Sequence, residues 1–234
     1  MRHFRLAGAI LLFGATLLST GVTAAAPAAD LDELMSYDGL KKVAIKDVDL
    51  AYVLPGATLA GYHRVMLDPV YVSFEKDWNP KPTGSAFNIS ASDRDTIKQR
   101  SAKLVYDAFV KELQSKDGYP IVTVAAPDVL RVKISIINLY ITAPDVMTPG
   151  RSMSFTSSSG HATILAELFD SETGAAIARV IDTQVARDDG TMRMSSGVSN
   201  AADGREVAAR WAKVLRRGLD RAREQAAPTA VASR

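Results

Sequence analysis

Residues Val129–Ile141 place the strongest constraint on what this chain can fold into. Leu130, Val132, Ile134 and Ile136 alternate with Arg131, Lys133 and Ser135, the period-two pattern of a strand with one buried face. After Ile136 the apolar parity switches to Ile137, Leu139 and Ile141, which calls for a bulge or a second buried face. Such a strand needs neighbours at its edges and a layer over its apolar side. Two amphipathic helices supply the layer. Ser92-Asp93-Arg94-Asp95 reads as a hydroxyl cap with a carboxylate three residues on, and Ile97, Leu104, Val105, Ala108, Phe109 and Leu113 follow at helical spacing. A last helix starts at Asp203 or a neighbour and runs to about Gln225, turning Val207, Trp211, Val214, Leu215, Gly218 and Ala222 inward.

The strand partners are Arg64–Phe74, interrupted at Pro69, the short Tyr119–Val124, and the pair His161–Phe169 and Ala175–Ala186. Asp170-Ser171-Glu172-Thr173-Gly174 joins the last two as a hairpin. Thr142–Gly160 reads as a long Pro/Gly/Ser/Thr loop and Arg187–Asp203 as another flexible loop. The expected fold is α+β: a two-layer sandwich, with a mixed sheet of about five strands and two main helices on one face, after a cleaved signal peptide.

The N-terminus stands apart. Met1–Arg5 is basic, Leu6–Leu18 is an almost unbroken apolar run, and Ala24–Ala29 consists of small residues around Pro27. This is the layout of a secretory signal peptide, with an apolar run too short to span a bilayer. Small residues at the last and third-last positions favour cleavage after Ala25 or Ala28. The expected organisation is a signal peptide over 1–28, a leader over 29–61, one α+β domain over 62–225 and a tail over 226–234. Arg2 and Arg5 leave with the signal, which brings the 28 basic residues into parity with the 26 acidic ones. No global basic field remains, so nucleic acid is excluded as an expected partner, and no second apolar run approaches a transmembrane span. The chain has no cysteine, hence no disulfide and no thiol to carry a lipid anchor.

Chemical motifs are sparse. Two histidines survive processing, His63 and His161. G-x-S-x-G is absent, and Ser73-Phe74-Glu75-Lys76 matches S-x-x-K without its partner motifs. Ser157, Ser158, Ser159 and His161 suggest a serine–histidine arrangement with Asp170, but Ser-rich loop composition accounts for the same residues. The sharper feature is methionine. Met147, Met153, Met192 and Met194 sit in the two long loops, with His161 at their edge, and these five residues form the candidate binding surface. Thioethers are soft ligands suited to Cu(I); the same side chains also serve as adaptable caps over a sheet edge. No resident cofactor or metal is predicted. The last helix carries Arg205, Arg210, Lys213, Arg216, Arg217, Arg221 and Arg223 against Glu206, Asp220 and Glu224. The acidic residues interleave, which marks the solvated side of a core-packed helix.

Several segments together resemble a bacterial envelope family known as domain of unknown function 3313. They are Met35-Ser36-Tyr37-Asp38-Gly39-Leu40, Tyr62–Val70, Val129–Ile134, the hairpin Glu167–Gly174, and the closing helix with Trp211. Members are typically Gram-negative lipoproteins, and the missing cysteine is a departure from that pattern. The resemblance implies a fold and a periplasmic address but no catalytic residue. The expected function is therefore an exported periplasmic envelope protein, a non-enzymatic binding or accessory module whose partner is another envelope protein or a cell-wall component. The alternatives are a hydrolase with an unidentified site and a periplasmic Cu(I)-binding protein.

Overall fold

The alternation in Val129–Ile141 is realised as the spine of a mixed sheet. The computed structural model describes residues 31–80, 89–142, 144 and 154–226, so the signal segment lies outside the described residues. In chain order the strands are β1 (Lys41–Val43), β2 (Leu50–Val53), β3 (Arg64–Leu67), β4 (Tyr71–Phe74), β5 (Val129–Ile141), β6 (Ser154–Asp170) and β7 (Ala176–Ser195). The helices are α1 (Leu31–Ser36), α2 (Ala91–Gln114) and α3 (Gly197–Ala226). The sheet order is β1-β2-β7-β6-β5-β3, and β4 lies farther along the same edge of β5. Both β3 and β4 run parallel to β5, with Pro69 in the gap between them, while all other pairings are antiparallel.

The α+β sandwich with a mixed sheet and two long helices is therefore what the chain adopts. The parity switch in β5 is a bulge: pairing with β6 shifts between Ile137 and Tyr140, and Asn138 takes a left-handed φ of 54°. Asn tolerates that region better than other side chains do. The hairpin forms at Asp170–Gly174. Asp170 Oδ1 accepts the backbone N–H groups of Glu172 and Thr173, and Gly174 turns the chain at φ 70°.

Four expectations need correction. The segments Thr142–Gly160 and Arg187–Asp203 are not loops throughout: β6 begins at Ser154, β7 runs to Ser195, and α3 starts at Gly197. Ser154 pairs with Ser195 and Thr156 with Arg193, so backbone hydrogen bonds hold an arm that has no apolar period to advertise it. Tyr119–Val124 is not a strand; a single parallel bridge joins Ile121 to Val65. The cap of α2 is Ser90, whose Oγ accepts the N–H of Asp93 at 3.1 Å, and not Ser92. The strands beyond the expected five come from Lys41–Val53, where β1 is exposed at every position.

Burial divides the sheet faces. Val132, Ile134, Ile136, Ile164 and Leu168 pack against Val105, Phe109 and Leu113 of α2 and Val207, Trp211 and Leu219 of α3. Each such side chain contributes about 1.5–3 kcal/mol on burial, and this apolar contact is what holds the two helices on the sheet. The opposite face carries a small cluster of Met35, Leu40, Tyr52 and Ala176. Arg179 pins the leader there: its guanidinium donates to the carbonyl of Tyr37 at 2.7 Å and to Asp38 at 2.7 Å, and pairs with Glu167 across the strand.

The far ends of α2 and α3 are joined by Arg216. Its Nη1 donates to the carbonyls of Leu113 and Ser115 at the close of α2, and its Nε to Asp220. Tyr119 lies beneath, with the guanidinium groups of Arg216 and Arg223 5.2 and 4.3 Å from its ring centre. The turn leading into Tyr119 is tight: a Cβ on Gly118 would meet Leu113 O at 2.0 Å and Arg216 Nη1 at 2.1 Å. Gly118→Ala is therefore expected to destabilise the fold by about 1–3 kcal/mol, read from denaturant midpoints.

Burial, reinforced by a hydrogen bond to Asp220, pushes the Tyr119 hydroxyl up to about 12. Burial and the hydrogen bond to Asp170 do the same for Tyr62. A raised folded-state pKa means that stability is full below about 10, the unfolded value, and is lost as pH climbs from there towards 12. In a spectrophotometric titration two of the seven tyrosines should ionise late, together with alkaline unfolding.

Candidate functional site

A groove opens between the N-terminal halves of α2 and α3, over the sheet. Helix spacing brings Ile97, Ser101, Leu104 and Val105 to one wall and Ala201, Gly204, Val207 and Trp211 to the other. The floor is Ile136, Leu139 and Ile141 of β5 with Ala162 of β6 and Ala186 of β7. The cavity volume is about 180 Å³ and the lining is predominantly apolar. Arg100, Ser101, Ser159, His161, Gln184 and Asn200 supply polar side chains among its lining.

Each of the central polar groups is held from behind. Asp182, 3 % exposed, accepts the indole N–H of Trp211 at 2.8 Å and the amide of Gln184 at 2.7 Å. That carboxylate fixes the orientation of two groove residues at once, and its hydrogen bonds compensate for the removal of its charge from water. Ser159 is buried and donates its hydroxyl to Asp203 on α3. His161 Nε2 lies 2.6 Å from Glu75 Oε2, just past β4, and the imidazole stacks on its cross-strand neighbour Tyr140 at 5.2 Å. Between Ser159 and His161, Gly160 takes φ 139°, and a Cβ there would strike Tyr140 O at 1.9 Å. Only glycine lets β6 pass so close to β5.

This arrangement limits the chemistry. Nucleophilic catalysis needs a hydroxyl within reach of a base that is itself oriented by a third group. Here the hydroxyl and the imidazole line the same groove, but each is bound to a different carboxylate. Asp170 sits nine residues from His161 at the other end of β6, about 30 Å away at strand rise, and is engaged by Tyr62 and Thr173. Hydrogen bonds from Thr173, together with that from Tyr62, hold its carboxyl below the usual range.

Of the five expected binding residues, His161 lines the groove. Met192 and Met194 lie on β7, where Met194 pairs with Phe155. The cross-strand partner of His161 is Val185, so Met192 is seven residues farther along, roughly 20 Å away at strand rise. Met147 and Met153 fall outside the described residues. Among the described residues no three His, Asp or Glu side chains converge as a metal site. The sequence reading missed the groove itself, placing Trp211 and Val207 in the core. The one local signal was Gly204, a glycine inside a helical pattern, whose Cβ would meet Leu104 at 3.5 Å.

A family model described as protein of unknown function (DUF3313) matches residues 32–215. No curated protein matches the sequence. Among solved structures, a Xanthomonas campestris protein of the DUF330 family is similar at 12% identity, with a TM-score of 0.43 over 73% of this chain and 90% of that one. A PelC dodecamer from Paraburkholderia phytofirmans gives 10% identity and a TM-score of 0.33, over 68% and 94%. A lipoprotein-like protein from Caulobacter crescentus gives 12% and 0.32, over 72% and 94%. All three scores lie below 0.5, and none bears on function.

The Asp182 carboxylate gives a direct test of how the groove wall is built. Trp211→Phe keeps the ring but removes the indole donor, leaving a buried carboxylate short of one hydrogen bond. The expected cost is about 1–3 kcal/mol of stability in chemical denaturation.

Proposed function

The chain belongs to the DUF3313 family of proteins of unknown function, and from that premise we propose that it is an exported, periplasmic cell-envelope protein that acts by binding and not by catalysis. The observation that carries the reading is the groove, where apolar walls dominate and Ser159 and His161 are each committed to a carboxylate of their own. Sites of this kind recognise by shape and desolvation, with few polar groups to orient the ligand. The basic start and apolar run of residues 1–28 support the export half of the proposal. Among the described residues no helix is long and apolar enough to cross a membrane.

The partner is another envelope protein or a cell-wall component. Two surfaces are available to it: the groove, and the β6–β7 arm that carries Met192 and Met194. The arm extends the hairpin beyond its pairing with β5, which ends at the Ile141–Gly160 pair. Elements that project from a rigid sheet commonly hold contact residues.

The hydrolase alternative names no site, and the hydroxyl and imidazole that share the groove, Ser159 and His161, are bonded to Asp203 and Glu75 and not to each other. Under the binding reading, Ser159→Ala and His161→Gln leave any background ester hydrolysis by the purified protein unchanged.

The test combines cell fractionation, N-terminal sequencing and crosslinking. The protein should leave the cell with the periplasmic fraction, begin just after Ala25 or Ala28, and yield a defined envelope partner from photo-crosslinkers on the arm or in the groove. Retention in the cytosol with an intact N-terminus overturns the export reading; failure to recover a specific partner overturns the binding one.

A further inference from the structure

We propose that the groove takes one unbranched aliphatic chain ending in a carboxylate, a free fatty acid of medium length, with Arg100 at the mouth reading the head. The inference rests on the groove being a binding surface, as assigned above, and adds a small ligand held within it, distinct from the envelope partner, which the β6–β7 arm remains free to contact.

Size comes first. An apolar cavity of ~150 Å³ takes a benzene-sized guest, so about 180 Å³ holds six to eight carbons of a single chain and leaves no room for a second. Chemistry narrows the choice. The hydroxyl of Ser159, the amide of Gln184 and the indole of Trp211 are already donating to Asp203 and Asp182. A saccharide or a peptide would bury hydroxyls or amides against walls that offer them few partners, at a cost an alkyl chain avoids.

Charge then sets the polarity of the head. Arg100 borders the groove, is exposed, and has no ion pair among the described residues. Among the described residues no carboxylate belongs to the lining itself; Glu75, Asp182 and Asp203 are bonded to His161, Trp211 and Ser159. The first turns of α3 reach the groove through Asn200 and Ala201, and that helix has no acidic residue in its first turn to offset its positive end. A guanidinium fork matches a carboxylate in both charge and shape.

Gly204 makes the proposal testable without disturbing the core. Its Cβ position is in ordinary contact with Leu104, so a small side chain fits and a large one projects into the groove. The experiment titrates the purified mature protein with decanoate and with decanol below their aggregation concentrations. Binding is followed by calorimetry and by the fluorescence of Trp211, which lines the site. Decanoate should bind one to one, and along the series from butanoate affinity should rise roughly threefold per methylene and level off near octanoate, where the groove is full.

Gly204→Leu should weaken decanoate and decanol alike by at least tenfold, with Gly204→Ala as the variant that keeps the fold and retains binding. Arg100→Gln, at an exposed position, should weaken decanoate about five- to tenfold and leave decanol unchanged. Absence of saturable decanoate binding overturns the proposal, as does equal binding to Gly204→Leu or an equal effect of Arg100→Gln on both ligands. Tighter binding of a lysophospholipid of the same chain length overturns the free carboxylate as the head. If no amphiphile binds while crosslinkers in the groove still capture a defined envelope protein, the ligand class falls and the broader binding function stands.

Discussion

The spacing between α2 and α3 depends on one guanidinium. Arg216 projects from α3, donates to the carbonyls that close α2, and is held in line by Asp220 one turn on. The last carbonyls of a helix have no partner within it, so a cation placed there satisfies them and meets the negative end of the dipole. Its side chain is 14% exposed, and hydrogen bonds of this charged kind stabilise by about 1.5–3 kcal/mol each. Asp182 provides the matching tie near the sheet by holding Trp211. The groove lies on the N-terminal side of the Arg216 tie and is bounded at one end by Trp211, so both fastenings hold the helix ends from which its walls run.

What could be read from the chain alone follows from where the physics is local. The alternation of β5, the apolar stripes of α2 and α3 and the turn at Asp170–Gly174 are each set within a few residues, and all three form as the pattern implies. The polar extension of β6 and β7 is different. Ser154–Ser158 and Arg187–Ser195 carry turn-forming residues, and their strand state comes from the backbone of the opposite strand. For β1 the failure has the same root, since three exposed residues present no buried face to detect. The cap of α2 was misplaced by two residues because Ser90 and Ser92 are chemically equivalent candidates, and only the approach of the chain chooses between them.

The groove was illegible for a further reason. Ile97, Ile136, His161 and Trp211 come from four different elements, and nothing in their spacing announces that they converge. Trp211 has the sequence signature of a core residue and is one: the same ring fills the space behind the sheet and lines the groove. His161 was visible as an isolated histidine, but its partner Glu75 lies 86 residues away. The polar pairs of this site are long-range in sequence, and that is why a serine beside a histidine on β6 suggested a relay that the bonding pattern does not form.

Arg179 bears on the order in which the molecule can complete itself. It lies late in the chain, yet its guanidinium holds the carbonyl of Tyr37, 142 residues earlier, and the β1–β2 pair joins the rest of the sheet through β7. The N-terminal segment therefore has no docking surface until most of the chain is present. Closing so long a loop is slow and cannot be rewarded piecemeal. In a polypeptide wired this way the segment from Tyr37 to Val53 gains its long-range contacts after β7 has formed, and so closes the sheet last.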